Sequence, residues 1–130
     1  RQNRSPITTD AGPFDAAVCV LTFHHIPIEQ RLETLLQIRR RLKSGAPFVI
    51  AHMSFLQSEP ERSIWIDRHL AFGAIDGTDP ARVENARKAM RERLHILAPE
   101  EEETMLREAG FSGVTLFYTA FSFRGWVAYA

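Results

Sequence analysis

Residues 14–55 constrain this chain more than any other stretch. A short apolar segment at 14–21 is followed by an amphipathic run, a break at Lys43-Ser44-Gly45-Ala46-Pro47, and a second apolar segment at 48–51. That order predicts strand, helix, strand, joined in a parallel sheet by a right-handed crossover. In open sheets of this kind, ligands sit beyond the carboxyl ends of the strands. Residues 19–25 and 52–55 therefore stand out first.

Residues 14–21 show almost no polar alternation, and Val18 and Val20 are β-branched, which predicts a strand covered on both faces. Pro27 suits the first turn of a helix, where its missing N–H costs little. Ile28, Leu32, Leu35, Leu36, Ile38 and Leu42 recur at three- and four-residue steps, which assigns Glu29, Arg31, Glu33, Arg39 and Arg40 to the opposite face. Lys43 fits the last turn, and Gly45 the position just past the helix end.

Downstream, residues 59–72 predict a helix with Ile64, Trp65, Leu70 and Phe72 on its face, broken over 73–79. Asp79-Pro80 is a cap and first-turn pair opening a more polar helix to about Leu94. Two helices exceed what one crossover needs, so one of them is expected to cover a pocket. Pro99 and the run Glu100-Glu101-Glu102-Glu103 open a further helix, with Met105, Leu106 and Ala109 inward and Gly110 as its stop. The glutamates read as a solvated helix start. Residues 111–117 and 121–129 predict two antiparallel strands. Residues 1–13 read as a loop or tail, 14–130 as one domain, and 56–98 as a helical insertion.

Sixteen basic residues balance sixteen acidic ones, so no overall field draws the chain to nucleic acid or an anionic membrane. Its single cysteine, Cys19, excludes an internal disulfide. No apolar run approaches the roughly 20 residues of a membrane helix, and no signal-peptide pattern opens the chain. The expected compartment is the cytoplasm, with no membrane partner.

The order of elements resembles the second half of a class I S-adenosylmethionine-dependent methyltransferase. The residues that carry the resemblance are Phe14-Asp15-Ala16-Ala17-Val18 with Leu21-Thr22-Phe23-His24-His25-Ile26, then Leu42-Lys43-Ser44-Gly45-Ala46 before Phe48-Val49-Ile50, then Leu106-Arg107-Glu108-Ala109-Gly110-Phe111. They match the family's fourth strand and loop, its turn before the fifth strand, and the helix end before the sixth. Phe121-Ser122-Phe123-Arg124-Gly125-Trp126-Val127-Ala128 is similar to the branch of carboxy-S-adenosylmethionine and tRNA wobble-uridine enzymes. The resemblance implies an α/β, Rossmann-like methyltransferase fold, truncated to strands 4–7: a parallel pair plus a terminal antiparallel hairpin, with covering helices.

The family's glycine-rich loop has no counterpart here; the glycines are scattered and no G-x-G-x-G string occurs. By this resemblance the chain reads as a fragment lacking the first three strands. The strand at 14–21 would then have a bare edge and a bare face, so a homo-oligomer is expected to cover it.

The resemblance implies S-adenosylmethionine as cofactor and methyl transfer to a small molecule or an RNA base. It places Cys19, Val20, Leu21, Thr22 and Phe23 along the cofactor, and counts His25, at the start of the next helix, among the cofactor-binding residues. His24 and His52 are the candidate catalytic bases, because histidine titrates near neutrality. Met53, Trp65, Arg68, His69, Tyr118 and Arg124 are candidates for the acceptor pocket, aromatic and guanidinium groups suiting a nucleobase or a carboxylate. His24, His25 and His52 lack a carboxylate at metal-binding spacing, so no metal is expected. A non-catalytic binding or dimerisation domain of the same fold is the alternative.

Overall fold

A computed structural model describes residues 11–74 and 78–130. The chain runs β1 (Ala17–Val20), a 3-10 turn (Phe23–His25), α1 (Ile28–Arg40), β2 (Pro47–Met53), α2 (Glu61–Gly73), α3 (Pro80–Arg93), α4 (Pro99–Glu108), β3 (Ser112–Ala120) and β4 (Phe123–Tyr129). The four strands form one sheet in the order β1-β2-β4-β3. β1 and β2 are parallel, with Val18 opposite Val49 and Val20 opposite Ala51; β4 is antiparallel to both of its neighbours. The expected parallel pair and terminal hairpin are both present, and β4 enters the sheet between β2 and β3.

Register decides what the two faces of the sheet carry. Phe48 and Ile50 of β2 lie opposite Ala128 and Trp126 of β4, and all four are buried. They pack with Leu35 of α1, Leu106 of α4, Phe23 and Phe111 into the main core. On the other face, Val49, Ala51 and Val127 are only partly covered, and Val18 and Val20 of β1 are 69% and 53% exposed. A second, smaller core of Met53, Phe55, Ile66, Met90 and Ile96 joins α2 and α3 to the carboxyl end of β2.

Local signals account for the element ends. Asp79 caps α3 by accepting the Ala81 N–H, and Pro80 occupies the first turn, as read from sequence. At the end of α4, Phe111 N–H donates to Leu106 C=O and Gly110 N–H to Arg107 C=O, a Schellman closure that Gly110 permits at φ +92°.

Several expectations are corrected. β1 spans only four residues and is not covered on both faces. α1 ends at Arg40, so Lys43 lies beyond it, paired with Asp15, and Gly45 (φ +76°) serves the turn into β2 rather than the helix end. Arg31 is not on the solvent face but wholly buried, while Ile28 and Leu32 are exposed. Ile64 and Phe72 are exposed too, and Ile66 is the residue that α2 buries. Within the glutamate run, Glu102 is buried. Residues 1–10 of the expected tail and 75–77 of the expected break lie outside the described residues.

Candidate active site

The carboxyl ends of β1 and β2 gather four segments: the turn at 21–25, residues 53–57 after β2, residues 94–98 before α4, and the β3–β4 turn. Just past β1 stands Leu21, a non-glycine residue at φ +57° whose N–H donates to Ala51 C=O at 2.7 Å. A branched side chain held in the left-handed region stores strain, a common mark of functional turns. Leu21 and Thr22 are exposed, and Thr22 Oγ1 donates back to Val20 C=O. Cys19 is half-buried; burial raises its thiol pKa, partly offset by a hydrogen bond with Thr22. Val20, Leu21 and Thr22 therefore form an open wall, whereas Phe23 sits in the core.

His24 ties these segments together. Its Nδ1 accepts the Met53 N–H at 3.2 Å and its C=O accepts the His95 N–H at 2.8 Å. An accepting Nδ1 assigns the ring proton to Nε2. Burial, then the positive fields of His25, His52 and Arg31, lowers the His24 pKa from 6.5 to about 4, with Glu102 opposing. The ring is thus neutral near pH 7, with its basic nitrogen already used.

His52 lies on the helix-covered face at 1% exposure, stacked on Phe23 and tilted against Trp126. Its Nε2 is 2.8 Å from Glu102 Oε1. Neither ring nitrogen of His52 makes a hydrogen bond. Glu102 Oε1 is also 2.8 Å from the Arg31 guanidinium, which donates further to the carbonyls of Ile26 and His95. Arg31 and Glu102 thereby join α1 to α4 and anchor residue 95. The sequence reading missed both. Arg31 does stand on the buried stripe, four residues before Leu35, which is a readable signal.

The acceptor candidates separate. Trp65 stacks on Phe55 with ring centroids 6.2 Å apart and meets Phe121 edge-on at 6.1 Å. The guanidinium carbons of Arg68 and Arg124 lie 5.1 and 5.5 Å from the Trp65 ring centroid. Trp65 and Arg124 line a cleft of about 330 Å³ at the end of β2, with Phe55, Leu56, Pro99 and Glu100. Met53 is buried in the smaller core, and Tyr118 stands 49% exposed on the outer strand, away from that cleft's lining. His25 and His69 line a neighbouring cleft of about 410 Å³ with residues of α3, so the insertion helices do border pockets. His69 Nδ1 is 2.8 Å from Ser122 Oγ, and burial lowers its pKa. Buried Ser54, missed from sequence, donates to Leu97 C=O and accepts nothing from His69. No grouping of three metal-binding side chains occurs among the described residues.

Known proteins share this fold. An O-methyltransferase family protein from Burkholderia thailandensis superposes with a TM-score of 0.62 at 13% identity, over 93% of this chain and 31% of that one. Human N-acetylserotonin methyltransferase, solved in complex with S-adenosylmethionine, gives 0.57 at 14% identity, over 88% and 29%. This is the class I methyltransferase fold. In sequence, the carboxy-S-adenosyl-L-methionine synthase of Ectopseudomonas mendocina is 25% identical over 122 residues. That match takes in 94% of this chain and 49% of the synthase, so the chain spans about half the length of the curated relatives it matches. No family model matches the chain. Among the described residues, no helix of this methyltransferase-fold chain is long and apolar enough to cross a membrane.

Proposed function

We propose that this chain supplies one wall of the cofactor site and part of the acceptor cleft of an enzyme that methylates a small molecule or an RNA base. The observation that carries the reading is the strained, exposed turn at Leu21 and Thr22, at the same sheet edge as the cleft that follows β2. S-adenosylmethionine supplies an activated methyl group on a sulfonium, so the protein's tasks are alignment and exclusion of water. Cys19, Val20, Leu21 and Thr22 would run along the cofactor, their backbone carbonyls towards its amine and Val20 and Leu21 against its adenine. Phe23 supports that wall from the core. His25 borders the neighbouring cleft, and Trp65, Arg68 and Arg124 face the acceptor.

His24 and His52 act in this reading as positioning groups. His24 fixes the backbone at Met53 and His95 through neutral-ring contacts, and His52 packs beneath the site against Glu102. The relatives named carboxy-S-adenosyl-L-methionine synthase support chemistry on this cofactor. A second reading, a non-catalytic binding or dimerisation domain, is favoured by the apolar exposure of Val18 and Val20.

Titration calorimetry with S-adenosylhomocysteine separates the two. The enzyme reading expects one saturable site per chain, weakened at least about tenfold (~1.4 kcal/mol) by Leu21→Asp. Saturable binding counts against the non-catalytic reading, and equal binding by the variant overturns the placement of Leu21 at the cofactor.

A further inference from the structure

We propose that the cleft between the turn after β1 and helices α2 and α3 binds a small apolar carboxylic acid, with His69 donating a hydrogen bond and Arg93 supplying the charge. The proposal goes beyond the methyltransferase reading and does not depend on it, because this cleft shares no lining residue with the one at the end of β2.

His69 is held in one orientation. Its Nδ1 lies 2.8 Å from Ser122 Oγ, and Ser122 is wholly buried. Ser122 follows Phe121, which like Leu21 is a non-glycine residue at positive φ (+59°), in the turn from β3 to β4. An aromatic residue in the left-handed region is strained, and the surrounding structure has to hold it there. The Ser122 hydroxyl has no other hydrogen-bonding partner among the described residues. A ring proton on Nδ1 would leave the hydroxyl hydrogen buried and unsatisfied, which is costly. The hydroxyl therefore donates to Nδ1, and His69 carries its proton on Nε2. Burial lowers the His69 pKa, so the ring stays in this neutral form near pH 7. The remaining N–H belongs to a side chain that lines the cleft.

Arg93, the last residue of α3, lines the same cleft. Arg87 and Arg91, earlier on that helix, are paired with Asp67 and Glu59. The exposed Arg93 guanidinium has no ion pair or hydrogen bond among the described residues. No acidic side chain occurs in the described lining, and Leu70, Met90 and Leu94 give it apolar walls. One guanidinium beside one neutral N–H donor matches a single carboxylate. A phosphodiester backbone would need a run of cations. The volume, about 410 Å³, is that of an ordinary small-molecule site.

Calorimetry and nitrogen NMR of the histidine rings test the two halves of the proposal on the full chain. The ligands are hydrocinnamate, its neutral amide and phenyl phosphate. Hydrocinnamate is expected to saturate at millimolar concentration or below, and the amide at least about tenfold more weakly. Arg93→Gln, at an exposed helix end, should weaken hydrocinnamate about tenfold and leave the amide unchanged. The His69 ring should show a protonated Nε2 and a bare Nδ1, with the Nε2 proton shifting as hydrocinnamate binds. Ser122→Ala should admit the other tautomer and weaken both ligands. Equal binding of the amide, unchanged affinity in Arg93→Gln, or binding of phenyl phosphate alone overturns the proposal. So does a wild-type His69 protonated on Nδ1, or an Nε2 signal indifferent to hydrocinnamate.

Discussion

Single side chains in this chain decide more than their positions suggest. Arg31 and Glu102 form a buried ion pair joining α1 to α4, and removing one partner of such a pair strands the other. Glu102→Gln should therefore cost about 3–5 kcal/mol, read by urea unfolding. A loss below about 1 kcal/mol would mean that Arg31 is held by the Ile26 and His95 carbonyls alone. His24 carries the complementary prediction. Its folded pKa, about 4, lies below the ordinary 6.5, so the unfolded chain binds the extra proton between those values. The resulting stabilisation is full above about pH 6.5 and is lost as pH falls towards 4. Thermal melting across that window should show the decline, and His24→Gln should flatten it. A wild-type profile with no slope there would sink the assignment of a neutral, accepting ring.

Among the elements, two glycine turns offer the cleanest test. Gly45 and Gly110 both have positive φ, but a side chain at Gly45 meets open space while one at Gly110 approaches the movable Arg39 guanidinium at 3.1 Å. If backbone strain dominates, Gly45→Ala and Gly110→Ala each lose about 1–2 kcal/mol. A much larger loss at Gly110, measured by denaturant titration, would make Arg39 the cause. The same elements show what the sequence can reveal. α1, α3 and α4 were legible because periodicity, Asp79-Pro80 and Gly110 are local signals. So was the parallel pairing of β1 and β2 around α1. The place of Arg31 on the Leu35 stripe was legible, but Glu102 was hidden because burial of a charge depends on a partner 71 residues away. Phe14, Val18 and Val20 misled for the opposite reason: apolar residues predict a cover without saying which polypeptide provides it.

At the scale of the whole molecule, that cover is the open question with a measurable answer. Phe14, Val18, Val20 and Leu21 are each about half-exposed or more, along an edge strand. We propose that a second copy of this chain covers them when no other polypeptide does. Light scattering of the wild type should give a dimer or larger species, and Val18→Lys should shift it to monomer. A monomeric wild type overturns this. The position of β4 carries a different consequence, in time rather than space. The last strand in sequence lies between β2 and β3 in the sheet, so neither has its β4 partner until residues 123–129 leave the ribosome. Until then β2 pairs with β1 alone and β3 with no strand, so an early stop codon would leave not a smaller sheet but a divided one.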